Sequence, residues 1–182
     1  LKMMHSHGRS QSPEKTQVVA LDNSFHGRTV GALSVTGQAK YRADFEPLMP
    51  GVKFVPVNDP AALEAAFGDH TSGMILELIQ GEGGINPLTH EFVVKARELA
   101  DRHNALLVAD ETQCGVGRPG TYFAYQRSTP VIVPDVVVAA KPVACGLPLG
   151  FVLANEKAAA AIAAKAACGS SPGSACAPRR SS

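Results

Sequence analysis

Short apolar runs alternate with amphipathic stretches along most of this chain. Gln17 to Leu21, Val52 to Pro56, Gly73 to Ile79, Ala105 to Ala109, Val136 to Ala140 and Leu149 to Ala154 are the strand candidates. Each is brief, aliphatic or β-branched, and closed by charged or turn-forming residues. Between them lie helical patterns. From Thr89 to Asn104 the apolar positions 92, 96, 99 and 100 share one face, with Glu, Lys and Arg opposite. Asp59-Pro60 offers an N-cap followed by proline at the first helical position, which predicts a helix through about Phe67. Asn155 can cap another through about Ala167, and Leu1 to His5 reads as the end of a helix that began upstream, so that the chain is expected to be part of a longer one. Gly8 to Thr16 is polar and reads as a loop. The alternation predicts an α/β fold, a mostly parallel sheet flanked by helices. Three segments are expected: a helix-and-loop remnant over 1–16, the α/β body over 17–165, and a low-complexity tail over 166–182.

Composition narrows the partners. The 182 residues are 45% hydrophobic and 18% charged, enough for one domain with a sizeable core. Lys plus Arg number 17 against 16 for Asp plus Glu, aromatic residues are 5%, and Trp is absent. That balance argues against a nucleic-acid or membrane-surface partner held by bulk charge or base stacking. No apolar run reaches the ~18 residues of a membrane-spanning helix. The cysteines at 114, 145, 168 and 176 form no CxxC and have no zinc-finger spacing, so reduced structural thiols are expected and no metal site.

The candidate chemistry lies at the strand ends, where parallel α/β sheets bind ligands. Glu77, Asp110 and Lys141 each close an apolar run. A buried Asp110 needs a cation or donor, because an unpaired carboxylate costs several kcal/mol in an apolar setting. Lys141 is either a solvated or ion-paired terminal lysine or a Schiff-base lysine kept nucleophilic by its surroundings. An Asp110–Lys141 ion pair and a shared ligand gripped by both satisfy these residues equally. Pyridoxal 5'-phosphate (PLP) is such a ligand, since it needs an acid at its ring nitrogen and an amine at its aldehyde. Gly115-Val116-Gly117-Arg118-Pro119-Gly120 fits a GxGxxG pattern, but four residues separate it from the strand and a proline interrupts it, so a structural turn is expected rather than a dinucleotide site.

Four motifs in order resemble a known family: Phe25-His26-Gly27-Arg28-Thr29, Gln80-Gly81-Glu82-Gly83-Gly84, Asp110-Glu111-Thr112-Gln113-Cys114-Gly115 and Ala140-Lys141-Pro142. They are similar to the class III aminotransferases of fold type I, over roughly residues 17–165, and within that family most similar to the acetylornithine aminotransferases. The resemblance implies that the α/β body is the large PLP-binding domain, incomplete here. It makes Lys141 the lysine that carries the cofactor and moves the substrate proton. Asp110 becomes the partner of the ring nitrogen, Gln113 that of the phenolic oxygen, and Phe25 the aromatic on the ring face. Glu111 and Thr112 fall with them in the cofactor-binding segment. Arg28 and Glu82 become substrate-binding residues and Glu77 a supporting carboxylate, while His26 receives no chemical role.

The implied activity is amino transfer from N-acetylornithine to 2-oxoglutarate, by a homodimer acting on small amino and 2-oxo acids. Plastid or mitochondrion is the implied location if the chain follows plant-like members, the cytoplasm otherwise. Ornithine and 4-aminobutyrate aminotransferases fit the same residues, and so does an inactive fragment, since the family's phosphate-binding segments and second carboxylate-binding arginine are expected outside this chain. Thr112 stands where the family usually has Val, Leu78 where it has Pro, and Cys145 where it has a small Gly.

Overall fold

The structure, a computed structural model, describes residues 1–166. The element order is α1 (Lys2–Arg9), β1 (Gln17–Leu21), α2 (Val30–Ser34), α3 (Ala39–Arg42), β2 (Val52–Val55), α4 (Pro60–Ala66), β3 (Thr71–Leu76), β4 (Ile79–Gln80), β5 (Asn86–Pro87), α5 (His90–Arg102), β6 (Leu106–Asp110), β7 (Val136–Ala139), β8 (Phe151–Ala154) and α6 (Glu156–Ala166), with short 3-10 turns between some of them. Six strands form one sheet in the order β2-β1-β3-β6-β7-β8. All its neighbouring pairs are parallel except β7–β8, which is antiparallel.

The apolar runs become central strands because both of their faces are covered. Val19, Leu21, Met74, Leu76 and Leu107 meet Leu63 of α4 and Phe92, Ala96 and Leu99 of α5 on one side. Val18, Ala20, Ile75, Leu106 and Val108, the alternate positions, meet Met4 of α1 and Ala158 of α6 on the other. Period-two alternation thus feeds two cores, and the run reads as continuously apolar. Gly73 marks where α1 crosses the sheet: a Cβ there would strike the Met4 side chain.

The caps form as their residue types require. Asp59 accepts from the Ala62 amide, Thr89 from that of Phe92 and Asn155 from that of Ala158. The helix at the N-terminus continues to Arg9, beyond the point where glycine and polarity suggested a loop. Residues 30–42 carry α2 and α3, which are too short for a helical period to show in sequence. β7 stops at Ala139, one residue before the apolar run does. The low-complexity tail lies outside the described residues, apart from Ala166.

Candidate active site

Strand order fixes where a site can form. The chain leaves β1 for β2 on one side, and β3 lies on the other, so the connections diverge between β1 and β3. A crevice opens beyond the carboxyl ends at such a point. Glu77, directly after β3, closes part of it: its Oε1 accepts from the Phe25 amide at 2.9 Å and its Oε2 from the Gly81 amide at 3.4 Å. Burial raises the Glu77 pKa; the Phe25 and Gly81 amides and His26 pull against that, and the Asp110 charge reinforces it. Glu77 therefore ties the loop after β1 to the turn after β3.

Asp110 ends β6. Its Oδ1 accepts from the Thr112 amide at 3.0 Å, and its Oδ2 lies 2.8 Å from His26 Nδ1. An ionised carboxylate only accepts, so Nδ1 carries the proton. The side chains of Asp110 and His26 are 9% and 1% exposed. Burial opposes the Asp110 charge, but the His26 imidazole and Thr112 donors prevail and hold its carboxyl below the usual carboxylate range. The partner demanded by a buried Asp110 is thus His26, the residue to which sequence reasoning gave no role, and not Lys141. His26 Nε2 is buried and has no hydrogen-bond partner among the described residues. Its one sequence signal was its place within the Phe25–Thr29 motif.

Glu111 departs from the cofactor-binding expectation. It follows the last residue of β6, and its carboxylate is turned into the interior. It is fully buried, its two oxygens accept from the Ala124 and Tyr125 amides at 2.9 and 3.0 Å, and the Cys114 thiol lies 3.3 Å from Oε2. It anchors the loop that follows. The GxGxxG stretch in that loop is a turn, with Val116, Gly117 and Gly120 at positive φ and the Gly117 amide bonded to the Tyr122 carbonyl.

β7 lies beside β6, with Asp110 opposite Val138, and Lys141 follows two residues after the strand ends. The Lys141 backbone takes a left-handed φ of 55°, turning the chain sharply out of the sheet. Its exposed Nζ donates to Gln113 Oε1 at 3.2 Å. An ammonium can only donate, so the Gln113 atom it meets is oxygen, and the Gln113 amide group stays available as a donor. Gly81 packs so closely on this side chain that a Cβ would come within 2.5 Å of Gln113 Cδ. Cys145, at φ 49°, holds the left-handed position that ends the Lys141–Ala144 turn. Glycine adopts that conformation most readily, yet here the cysteine is exposed and crowds nothing described.

Phe25, Arg28 and Glu82 meet around a residue that sequence reasoning passed over, Tyr41. The Phe25 and Tyr41 rings pack edge to face at 5.3 Å. The Tyr41 hydroxyl donates to Glu82 Oε1 at 3.0 Å, and the Arg28 guanidinium carbon lies 5.1 Å from its ring centroid. His26 and Asp110 also line a cavity of about 580 Å³, walled by Val35, Ile75, Val108 and Val138.

These residues fit PLP. Asp110 is a buried anion at the end of β6, Lys141 an amine at the end of the neighbouring strand, and Gln113 a fixed amide with a donor to spare. No helix among the described residues is long and apolar enough to cross a membrane.

Comparisons with known proteins agree on the family. Residues 1–174 match the family "Aminotransferase class-III". The chain is 51% identical over 162 residues to the acetylornithine aminotransferase of Neisseria meningitidis serogroup B, covering 88% of this chain and 40% of that protein. Among solved structures it resembles the N-acetylornithine aminotransferase of Stenotrophomonas maltophilia, at 35% identity and a TM-score of 0.71, over 88% of this chain and 38% of the other. It also resembles a PLP-bound amine transaminase from an uncultivated Pseudomonas species, at 30% identity and a TM-score of 0.79, over 88% and 41%. The chain therefore spans about 40% of the length of the relatives it matches. With its motifs in order and its sheet matching theirs, the chain belongs to the class III aminotransferases, a PLP-dependent family.

Proposed function

We propose that this chain carries the cofactor-gripping part of an aminotransferase that moves the amino group of N-acetylornithine to 2-oxoglutarate, in arginine biosynthesis. One observation carries the reading: an ionised, buried Asp110 and a Lys141 tethered to Gln113 stand at the ends of two adjacent parallel strands. When bound, PLP supplies an electron sink for the bond broken at the substrate Cα. Asp110 contributes the negative charge that keeps a proton on the ring nitrogen, and His26 holds that carboxylate in place. Lys141 Nζ would hold the cofactor through its aldehyde and, when free, would serve as the base at the substrate Cα. Gln113 orients the Lys141 amine in the resting state and offers its amide N–H to the phenolic oxygen. Phe25 covers the ring face, Thr112 borders it, Arg28 receives a substrate carboxylate, and Glu82 contributes to the choice of substrate. The working unit is a homodimer, by the family's habit.

The choice of donor is supported by the acetylornithine aminotransferases among the relatives. Adding PLP to the purified chain is expected to raise a visible absorption band that Lys141→Ala abolishes, measured by spectrophotometric titration. A chain that raises no band, or one whose band survives the Lys141→Ala change, sinks the proposal. Comparing N-acetylornithine, ornithine and 4-aminobutyrate as donors tests the substrate.

A further inference from the structure

A group of basic side chains gathers at the other end of the sheet from the candidate active site, where none of the four motifs reaches. The turn from α5 into β6 presents three successive backbone carbonyls, and a different element meets each of them. Lys15 Nζ, from the loop before β1, donates to the His103 carbonyl. His7 Nε2, from α1, lies 2.9 Å from the Asn104 carbonyl oxygen, and Lys157 Nζ, from α6, donates to that of Ala105 at 3.1 Å. A carbonyl only accepts, so Nε2 carries the His7 proton. Cations at the C-terminal end of a helix satisfy its last carbonyls and its dipole. That accounts for Lys15, but not for the rest of the group.

A cavity of about 350 Å³ opens between α1 and α6, lined by Ser6, His7, Arg9 and Ser10 on one side and by Lys157 on the other. Its ionisable lining is entirely basic. Both hydroxyls are committed as donors, Ser6 to the Ala161 carbonyl and Ser10 to that of His7. The donors left over belong to the basic groups. Lys157 spends one of its three N–H bonds on Ala105. Among the described residues, neither it nor the exposed Arg9 is in an ion pair. His7 has Nε2 committed and Nδ1 to offer. Burial lowers the His7 pKa; the Asn104 carbonyl and the Asp135 charge oppose this, and the charges of Lys157 and Lys15 reinforce it. Asp135 is itself spent on Arg97, the Leu107 amide and Asn155. Basic groups that share one space and press on one another, with no acid in the lining, form an arrangement that an anion relieves.

We propose that the cavity between α1 and α6 is a binding site for a tetrahedral oxyanion, free phosphate or the terminal phosphate of a small ester. Arg9 and Lys157 grip it, and His7 joins them once Nδ1 is protonated. The volume is at the low end of the ~300–1,000 Å³ of small-molecule sites. The site is separate from the proposed function: the five residues of β6 stand between it and Asp110, roughly 15 Å of strand.

Sulfate, whose charge is the same at about pH 6 and about pH 8, is the first probe, titrated by calorimetry into the full chain. Arg9→Gln and Lys157→Gln should each weaken its binding about tenfold, the worth of one charge-assisted hydrogen bond. Arg9 is exposed, so its variant keeps the test open should Lys157→Gln unfold the chain. Lys53 also donates to a carbonyl, that of Ala66, but from the edge strand β2, and Lys53→Gln should leave binding within about twofold of the parent. The parent should bind severalfold more tightly at the lower pH, because the anion brings a proton onto His7. His7→Gln keeps an N–H for the Asn104 carbonyl and should flatten that dependence, a readout that basic residues serving only the helix ends would not give. Equal affinity with and without PLP sets the site apart from the cofactor's own. Inorganic phosphate and glycerol phosphate then name the occupant: a tighter ester identifies an ester headgroup, and equal binding the free ion. Sulfate binding that is absent, abolished by PLP, equal at the two pH values, unchanged in Arg9→Gln or weakened as much by Lys53→Gln overturns the proposal.

Discussion

Two buried aspartates serve the same pair of strands, and they are finished differently. Asp135 lies just before β7, at the end of the sheet away from the site. Its Oδ2 accepts from Arg97 at 2.9 Å and from the Leu107 amide at 2.8 Å, and its Oδ1 from Asn155 at 2.8 Å. Both oxygens are met by the chain, from α5, β6 and the cap of α6. Asp110 lies at the opposite end of β6, facing a cavity. Its partner there, His26, is itself left with an unmet ring nitrogen. Each carboxylate thus has a partner that keeps a buried nitrogen unmet among the described residues, Arg97 Nε and His26 Nε2, and what sets the second apart is the open space it faces. Buried polar groups are normally satisfied, so the unmet histidine that also borders a cavity is where a ligand should be sought.

Breaking each carboxylate sharpens the contrast. Asp135→Ala takes from Arg97, whose side chain is 16% exposed, its buried partner and leaves it only the exposed Asp101; the loss of one partner from a buried pair typically costs up to about 3–5 kcal/mol. Urea unfolding should show that loss, with the PLP band retained in whatever fraction stays folded. Asp110→Asn keeps the shape and should cost about 1.5–3 kcal/mol, the value of a charged hydrogen bond, while weakening PLP binding. Equal stability losses in the two variants would erase the distinction drawn here.

Acid should act on both aspartates with the same sign. Each has a folded pKa below its ordinary value of 3.8: burial opposes the charge at both, but the Leu107 amide and Arg97 prevail at Asp135, and His26 and Thr112 at Asp110. Their stabilisation is therefore complete above about pH 4 and is lost as pH falls through the folded pKa values. Glu77 runs the other way. Burial raises its pKa above the ordinary 4.5, so stability declines as pH climbs from there through the folded value. Glu77→Gln should flatten that decline while leaving the steeper acid loss, as followed by thermal melts across pH.

The smallest effect concerns thiols. Cys114 is buried against Glu111, and burial, reinforced by the Glu111 charge, pushes its thiol well above the ordinary range, while Cys145 is exposed. In a Cys168→Ser, Cys176→Ser background, a thiol reagent should label Cys145 in the native protein and Cys114 only on unfolding. Rapid native labelling of Cys114 would contradict the closed Glu111 cage.

Sequence legibility followed the same divide. The strands over 17–21 and 106–110 and the helix over 90–102 announced themselves, because burial on both faces or on one stripe imposes a period on the residues. Lys141, Asp110 and Gln113 stood out as polar groups at apolar ends, with ordered motifs around them. His26 and Tyr41 did not, because nothing local distinguishes a histidine that will meet a carboxylate 84 positions away. The role of Glu111 is equally hidden: it adjoins Asp110 in sequence, yet its carboxylate meets the Ala124 and Tyr125 amides of the following loop.

By itself, the sequence determined that apolar runs would stack into a mostly parallel sheet, with chemistry gathered at its carboxyl edge, because periodicity and capping are local properties of the chain. Only the tertiary structure decided which strands became neighbours, and through that which distant donors answered each buried acid. Those pairings depend on strand order and loop closure, which no short window of residues contains.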